Sequence, residues 1–218
     1  MKPRYELIVF DWDGTLMDSA GAIVRAIQAS ARDLGLPEPS EARARHVIGL
    51  GLQEALSYAV PELDPSAWPD MVERYRHHYL SADAQLELFP GTFELVEMLA
   101  GSGRALGVAT GKSRKGLQRA LQHSGLDRFF HVTRCADECF SKPHPQMLEE
   151  VMVECGALPE RTLMIGDTTH DLLMARNAGV DSVAVDFGAH PRGVLLEAGP
   201  REVLGSTAAL AEWLRANA

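Results

Sequence analysis

Asp11 and Asp13 stand two residues apart in FDWDGTLMDS, directly after the apolar run LIVF at 7–10. On an extended segment residues i and i+2 point to the same side, so the two carboxylates share a face. A third acid, Asp167, follows another apolar run, TLMI at 162–165, and Asp171 comes four residues later in GDTTHD. Asp11, Asp13 and Asp167 together would make an oxygen-rich pocket for a hard cation. Mg2+ suits it, because that ion takes a few carboxylates, waters and a phosphate oxygen. Two like charges held close also split their proton affinities. One can stay ionised as a nucleophile while the other carries a proton for a leaving group. Gly14 lets the backbone turn sharply and approach a ligand. Taken alone, Asp-x-Asp-Gly-Thr is also readable as a surface turn after a strand.

A different phosphate signal lies in GVATGKS at 107–113. A nucleotide-binding P-loop needs two glycines five positions apart, followed by Lys and Ser or Thr. Counting back five from Gly111 reaches Leu106, and Gly107 is one residue too close. A backbone cradle one residue short cannot wrap the phosphates, so this reading fails on geometry.

The elements that must position these residues are four apolar runs: LIVF (7–10), ALGVA (105–109), TLMI (162–165) and SVAV (182–185). None alternates, as strands buried on both faces require. Helical spacing of apolar residues follows at 112–124 and 144–155, and DLLMARNAG (171–179) reads as a short helix capped by Gly179. Strand–helix alternation of this kind predicts a doubly wound α/β domain. Residues 16–88 contain no convincing strand. Ile23, Ile27, Ala31 and Leu34 line one helix face that stops before Gly35, and Trp68, Met71, Val72, Tyr75 and Tyr79 line another. This stretch reads as an all-helical insert, and Pro90-Gly91 marks the return. Ligands of open α/β sheets bind outside the carboxyl ends of the strands. Asp11, Asp13, Thr110, Gly111 and Asp167 follow three of those ends, and Ser141-Lys142-Pro143 lies between the second and third.

With these segments in this order, the chain resembles the haloacid dehalogenase-like hydrolase superfamily. FDWDGTLMDS resembles its first motif, Thr110-Gly111 its second, Lys142 in SKPHP its third and GDTTHD its fourth. VDFGAH (185–190) resembles a segment of phosphoglycolate phosphatase-like members. The resemblance implies a Rossmann-like α/β core of residues 1–15 and 89–218, with a helical cap domain at 16–88. It implies a Mg2+-dependent phosphatase that hydrolyses a small phosphorylated metabolite, phosphoglycolate being the leading case. Asp11 would form an aspartyl-phosphate, and Asp13 would act as acid and then base. Mg2+ would be held by Asp11, by Asp167 and by the Asp13 backbone carbonyl. Thr110 and Gly111 would donate to the phosphoryl group, and Lys142 would add a second cation. Asp171 is expected to orient Lys142 or a metal-bound water, and Lys112 and Ser113 to begin the next helix as solvated bystanders. The loop at 46–56 is expected to close over the site. Sugar-phosphate mutases of the superfamily usually carry a basic residue after the first glycine of that loop. Here Leu50, Gly51 and Leu52 follow Gly49, which weakens the phosphomutase alternative (β-phosphoglucomutase-like). Arg45 and His46 read either as substrate contacts or as cap-surface residues. A non-catalytic, partner-binding member is the remaining alternative, opposed by the intact set of Asp11, Asp13, Lys142 and Asp167.

Several other features point elsewhere and are weaker. His131, Cys135 and Cys139 lack a fourth zinc ligand in a tight pattern. Asp186-Phe187-Gly188 spells the kinase metal tripeptide without the accompanying signatures. His77-His78 read as solvated. A net charge of −9 argues against nucleic-acid partners and anionic membranes. Three cysteines without paired spacing fit a reducing compartment, and no run approaches a membrane span, so a cytoplasmic protein is expected. The oligomeric state is left open between monomer and homodimer.

Overall fold

The computed structural model describes residues 4–83 and 85–218. Its first strand, β1 (Leu7–Phe10), is buried at every position. Ile8 and Phe10 enter one apolar cluster and Leu7 and Val9 another. Alternate side chains leave opposite faces of a strand, so β1 is apolar throughout because both faces are covered.

After β1 the chain enters four helices: α1 (Ala20–Asp33), α2 (Glu41–His46), α3 (Leu52–Ala59) and α4 (Trp68–Asp83). Ile23, Ile27 and Ala31 of α1 form a further cluster with Ile48, Leu56 of α3, and Met71 and Tyr79 of α4. The helical reading of this stretch therefore agrees with the structure, in which the only pairing there among the described residues is the isolated bridge of Met17 with Leu88 and Asp13. His78 is not simply solvated. Its Nε2 lies 2.7 Å from Asp33 Oδ2, tying α4 to the end of α1.

Gly91, with φ of 83°, opens α5 (Thr92–Gly101). Then come β2 (Ala105–Thr110), α6 (Arg114–Ser124), β3 (Val132–Cys135), α7 (Gln146–Cys155), β4 (Thr162–Gly166), α8 (Thr169–Asn177), β5 (Asp181–Val185), α9 (Arg192–Glu197), β6 (Val203–Leu204) and α10 (Thr207–Asn217). The six strands are parallel in the order β3-β2-β1-β4-β5-β6. One face carries the cluster of Leu95, Leu117 and Leu210 from α5, α6 and α10; the other carries Met147, Val151 and Met174 from α7 and α8. This is the expected doubly wound α/β core. The strand order reverses at β1, between β2 and β4, which places the ligand crevice of such a sheet at the ends of these strands.

The two edge strands are the ones the apolar runs do not announce. β3 reads Val-Thr-Arg-Cys and is only half-buried, and β6 has two residues. An edge strand has a solvated side and so need not be apolar throughout. His131 and Cys135 are structural here. His131 Nδ1 accepts a hydrogen bond from the Leu106 amide at 3.2 Å, and Cys135 packs in the core. No helix among the described residues is long and apolar enough to cross a membrane.

Candidate active site

The sheet brings together the carboxyl ends of β1 and β4 because Phe10 and Ile165 are paired in register. Asp11 follows the first and Asp167 lies one residue past Gly166, the last residue of the second. Asp171 joins them from the first turn of α8. Carboxylate oxygens of Asp11, Asp167 and Asp171 all lie within 4.8 Å of one another, and all three residues are fully buried.

Lys142 reaches into this cluster. Its Nζ donates to Asp11 Oδ1 and to Asp171 Oδ1, each at 2.6 Å. The other oxygen of Asp171 accepts from the Thr168 hydroxyl at 2.7 Å and its amide at 3.1 Å. Thr168 caps α8 in return, accepting from the Asp171 amide, so the capping box fixes that carboxylate. Both oxygens of Asp171 are thus engaged, one of them directly by Lys142. Asp167 accepts from the Thr15 hydroxyl at 2.8 Å and from the Ala189 amide at 2.7 Å. A Cβ on either Gly14, whose φ is 86°, or Gly188 would collide with the Asp167 carboxylate. Those two glycines let the loops after β1 and β5 close around it. Asp186-Phe187-Gly188 is thus part of this enclosure, and its Phe187 packs on Phe89.

One acceptor stands out. Asp11 Oδ2 is buried and has no hydrogen-bond partner. Burial pushes the Asp11 carboxyl well above its usual range despite the opposing charge of Lys142. Burial, and then the charge of Asp171, raise Asp167 to about 7. Burial would pull Lys142 down, but Asp11 and Asp171 outweigh it and the ammonium is held above its ordinary value. Three buried acids against one cation leave an excess of negative charge. The donor set, all oxygen and with more buried acids than cations, fits a hard divalent ion at Asp11 and Asp167.

Asp13 differs from the expected geometry. Its carboxylate does not join the acidic trio; Asp171 takes that place. Instead Ser19 Oγ donates to Asp13 Oδ1 at 2.6 Å, and Lys112 Nζ donates to Oδ1 and Oδ2 at 2.9 and 3.2 Å. Residues i and i+2 share a side only while the segment stays extended, and the chain is already turning at Trp12 and Asp13, where Leu16 and Met17 donate back to the Trp12 carbonyl.

Lys112 is therefore no solvated bystander. Its side chain is 9% exposed, and Nζ also donates to Tyr79 Oη of α4 at 2.7 Å. The expected helix begins too early. Ser113 is the N-cap of α6, accepting from the Gly116 amide, so Lys112 belongs to the loop after β2 and not to a helix surface. A serine before a helical run is a capping signal. Placing the cap there moves Lys112 to the carboxyl edge of the sheet. Ser19 stands at the same kind of position before α1 but makes no capping bond there, its hydroxyl donating to Asp13 instead. Replacing Lys112 by Met should lower kcat/KM roughly tenfold to a hundredfold, since a hydrogen bond to a charged group contributes about 1.5–3 kcal/mol. Steady-state kinetics with unchanged circular dichroism checks this.

Thr110 is buried, and its Oγ1 accepts from the Lys112 amide at 3.2 Å, leaving the hydroxyl proton to donate. Gly111 is where the helical part meets the sheet. A Cβ there would strike the carbonyl oxygens of Gly49 and Leu50. The loop 46–56 is further tied down by the Gly51 amide, which donates to Ser141 Oγ at 2.9 Å. Arg45 and His46 lie at the seam and outside the cavity that borders Asp13. Arg45 Nη1 donates to the Gly188 carbonyl at 3.4 Å. The Nε2 atoms of His170 and His190 donate to the His46 carbonyl at 2.7 and 3.2 Å, and the His46 ring stacks on His190.

An α/β hydrolase with a carboxylate–lysine centre under a helical cover is the class that fold and site define. Residues 8–185 match the family described as haloacid dehalogenase-like hydrolase. The chain is 37% identical to a probable phosphatase, IndB, of Dickeya dadantii, over 96% of this chain and 95% of that protein. It is 30% identical to a phosphoglycolate phosphatase of Agrobacterium fabrum, over 86% and 83%. A predicted phosphoglycolate phosphatase from Haemophilus somnus superposes with a TM-score of 0.86 at 25% identity, covering 97% of this chain and 99% of that one. The chain belongs to the haloacid dehalogenase-like hydrolase family, and it is a phosphatase-like enzyme of that family.

Proposed function

We propose that the chain is a Mg2+-dependent phosphomonoesterase acting on a small phosphorylated metabolite, with phosphoglycolate as the ester against which others are compared. The observation that carries this reading is Asp11 Oδ2, a buried carboxylate oxygen with no partner, on a residue whose other oxygen is held by Lys142. That leaves one lone-pair-bearing atom fixed in direction and free to attack phosphorus.

In this reading the chain divides into a core of 1–15 and 89–218 and a cap of 16–88. Asp11 and Asp167 would hold Mg2+, with the Asp13 backbone carbonyl as a third donor. The ion supplies charge that keeps the nucleophile ionised and neutralises the phosphoryl oxygens. Asp11 Oδ2 forms a bond to phosphorus as the ester P–O bond breaks, and Asp13 gives its proton to the leaving oxygen. Water then attacks the aspartyl-phosphate, Asp13 takes up the proton, and Asp11 and inorganic phosphate are regenerated. Thr110 Oγ and the Gly111 amide donate to the phosphoryl oxygens, and Lys142 adds positive charge beside them. A phosphomutase would retain the phosphoryl group for a sugar hydroxyl; the apolar Leu50 and Leu52 in the loop facing the site speak against a sugar.

Phosphate release from a panel of metabolites, with Mg2+ and with chelator, tests the reading. Mg2+-dependent release supports it. Isomerised sugar phosphate without free phosphate would replace it with the mutase reading.

The raised acids also predict a coupling of stability to pH. A carboxyl with a folded value of about 7 against an ordinary 3.8 is stabilising while both states hold the proton. That contribution is lost as pH rises from about 4 to about 7. Metal-free protein should therefore lose thermal stability across this window, and Mg2+ should raise Tm more above pH 7 than at pH 5, because ligands shed protons to bind it. Thermal melts at both pH values check this, and equal Mg2+ shifts would contradict it.

A further inference from the structure

A cavity of about 530 Å3 lies between the sheet edge and the helices, bordered by Asp13, Gly111 and Lys112 on one side and by α1, α3 and α4 on the other. Away from Asp13 its wall is mostly apolar: Ile23 of α1, Ile48 of the loop before α3, Leu52 and Leu56 of α3, and Tyr75 and Tyr79 of α4. The two tyrosine rings stack at 5.9 Å with 15° between their planes. The charged groups along the inner cavity are already engaged. Lys112 is held by Asp13 and Tyr79, Arg119 by Asp83 at 3.1 Å, and the Asp137 carboxylate by the Arg114 amide. The other bordering cations, Arg76 and Lys115, are exposed. A carboxylate or a polyol carried against Ile48 and Leu56 would shed its water there, with Arg76 and Lys115 only at the solvent-facing border to replace it. A hydrocarbon ring would instead displace water from the aliphatic part of the wall, at Ile23, Ile48, Leu52 and Leu56, which cannot hydrogen-bond it.

We propose that this cavity receives the leaving group, and that the enzyme's preferred esters are phosphomonoesters of apolar, ring-bearing alcohols and not of hydroxy acids or sugars. The inference rests on the phosphatase reading and adds the substrate class. It also makes phosphoglycolate a poor substrate.

The test compares benzyl phosphate, ethyl phosphate and phosphoglycolate. All three release a primary alkoxide, so differences among them report the cavity more than the bond. Acetyl phosphate, with an activated and very small leaving group, reports the chemistry by itself. With Mg2+ present, kcat/KM for benzyl phosphate should exceed that for ethyl phosphate and phosphoglycolate by about tenfold or more, chiefly through KM, as burying a few methylene equivalents allows. Leu52→Lys should shrink that advantage and raise the relative rate on phosphoglycolate. Leu80→Lys, at a position 46% exposed on the same wall, is the second variant should the first misfold. Equal specificity for the three esters, or a preference for phosphoglycolate, overturns the substrate class while acetyl phosphate turnover keeps the phosphatase reading standing. No turnover of acetyl phosphate or of any ester overturns both.

Discussion

Asp11→Asn is expected to reduce kcat/KM by roughly 10^4-fold or more, the order seen when a covalent nucleophile is removed from an otherwise intact site. The asparagine keeps the shape of the side chain and its contact with Lys142, which retains Asp171 as an ionic partner at 2.6 Å. It also removes a buried group whose charged form the site disfavours. The metal-free variant should therefore melt within a few degrees of the parent, since the substitution opens no cavity and strands no cation. The pairing of lost turnover with a preserved Tm is the diagnostic result. Near-normal turnover would mean that no bond to Asp11 forms, and that phosphate is attacked directly by water. Activity that grows on storage marks deamidation back to aspartate and is separable by mass spectrometry.

What the sequence exposes, and what it hides, follows from burial. β1, β2, β4 and β5 are covered on both faces, so their apolar runs are visible without any alignment. The acids and hydroxyls that end them stand out because polar groups directly after buried strands are costly unless used. The order of segments puts Lys142 near the carboxyl edge of the sheet, but its role is legible only through the resemblance, since nothing in SKPHP itself says that it will be buried between two carboxylates 131 and 29 residues distant. The pairing of Lys112 with Asp13 and Tyr79 is a third kind of fact. It depends on how α4 lies over the loop after β2, a contact between segments remote in sequence, and a lysine beside a helix start otherwise defaults to solvent. Ser19 is hidden for a related reason. It occupies the N-cap position of α1 but makes no capping bond there, its hydroxyl having turned to Asp13.

Asp13→Asn is expected to slow turnover by about 10^2 to 10^4-fold, the span general acid–base catalysis contributes, and its fingerprint lies in the intermediate. Asparagine cannot protonate the leaving alkoxide, so esters of poor leaving groups stall before phosphoryl transfer. An activated ester such as p-nitrophenyl phosphate needs no proton at that step, and Asp11 should still be phosphorylated. The second half-reaction has no such bypass, because water attacking the aspartyl-phosphate must lose a proton, and in the proposed mechanism Asp13 accepts it. With Ser19 and Lys112 both within hydrogen-bond reach of Asp13, the substituted amide remains held at the same place. The variant should thus show a stoichiometric burst of p-nitrophenol followed by a slow steady state, with a phosphate adduct on the intact protein. A proportionate loss in both phases, with no burst and no adduct, would place the base elsewhere. The contact with Lys112 also limits how Asp13 works. In the proposed mechanism the oxygen that takes the proton would have to release that ammonium, whose other partner is Tyr79 of α4. If Asp13 transfers the proton, that transfer and the fit of α4 over the site are joined through Lys112, so Tyr79→Phe should lower kcat of the otherwise unchanged enzyme without abolishing turnover.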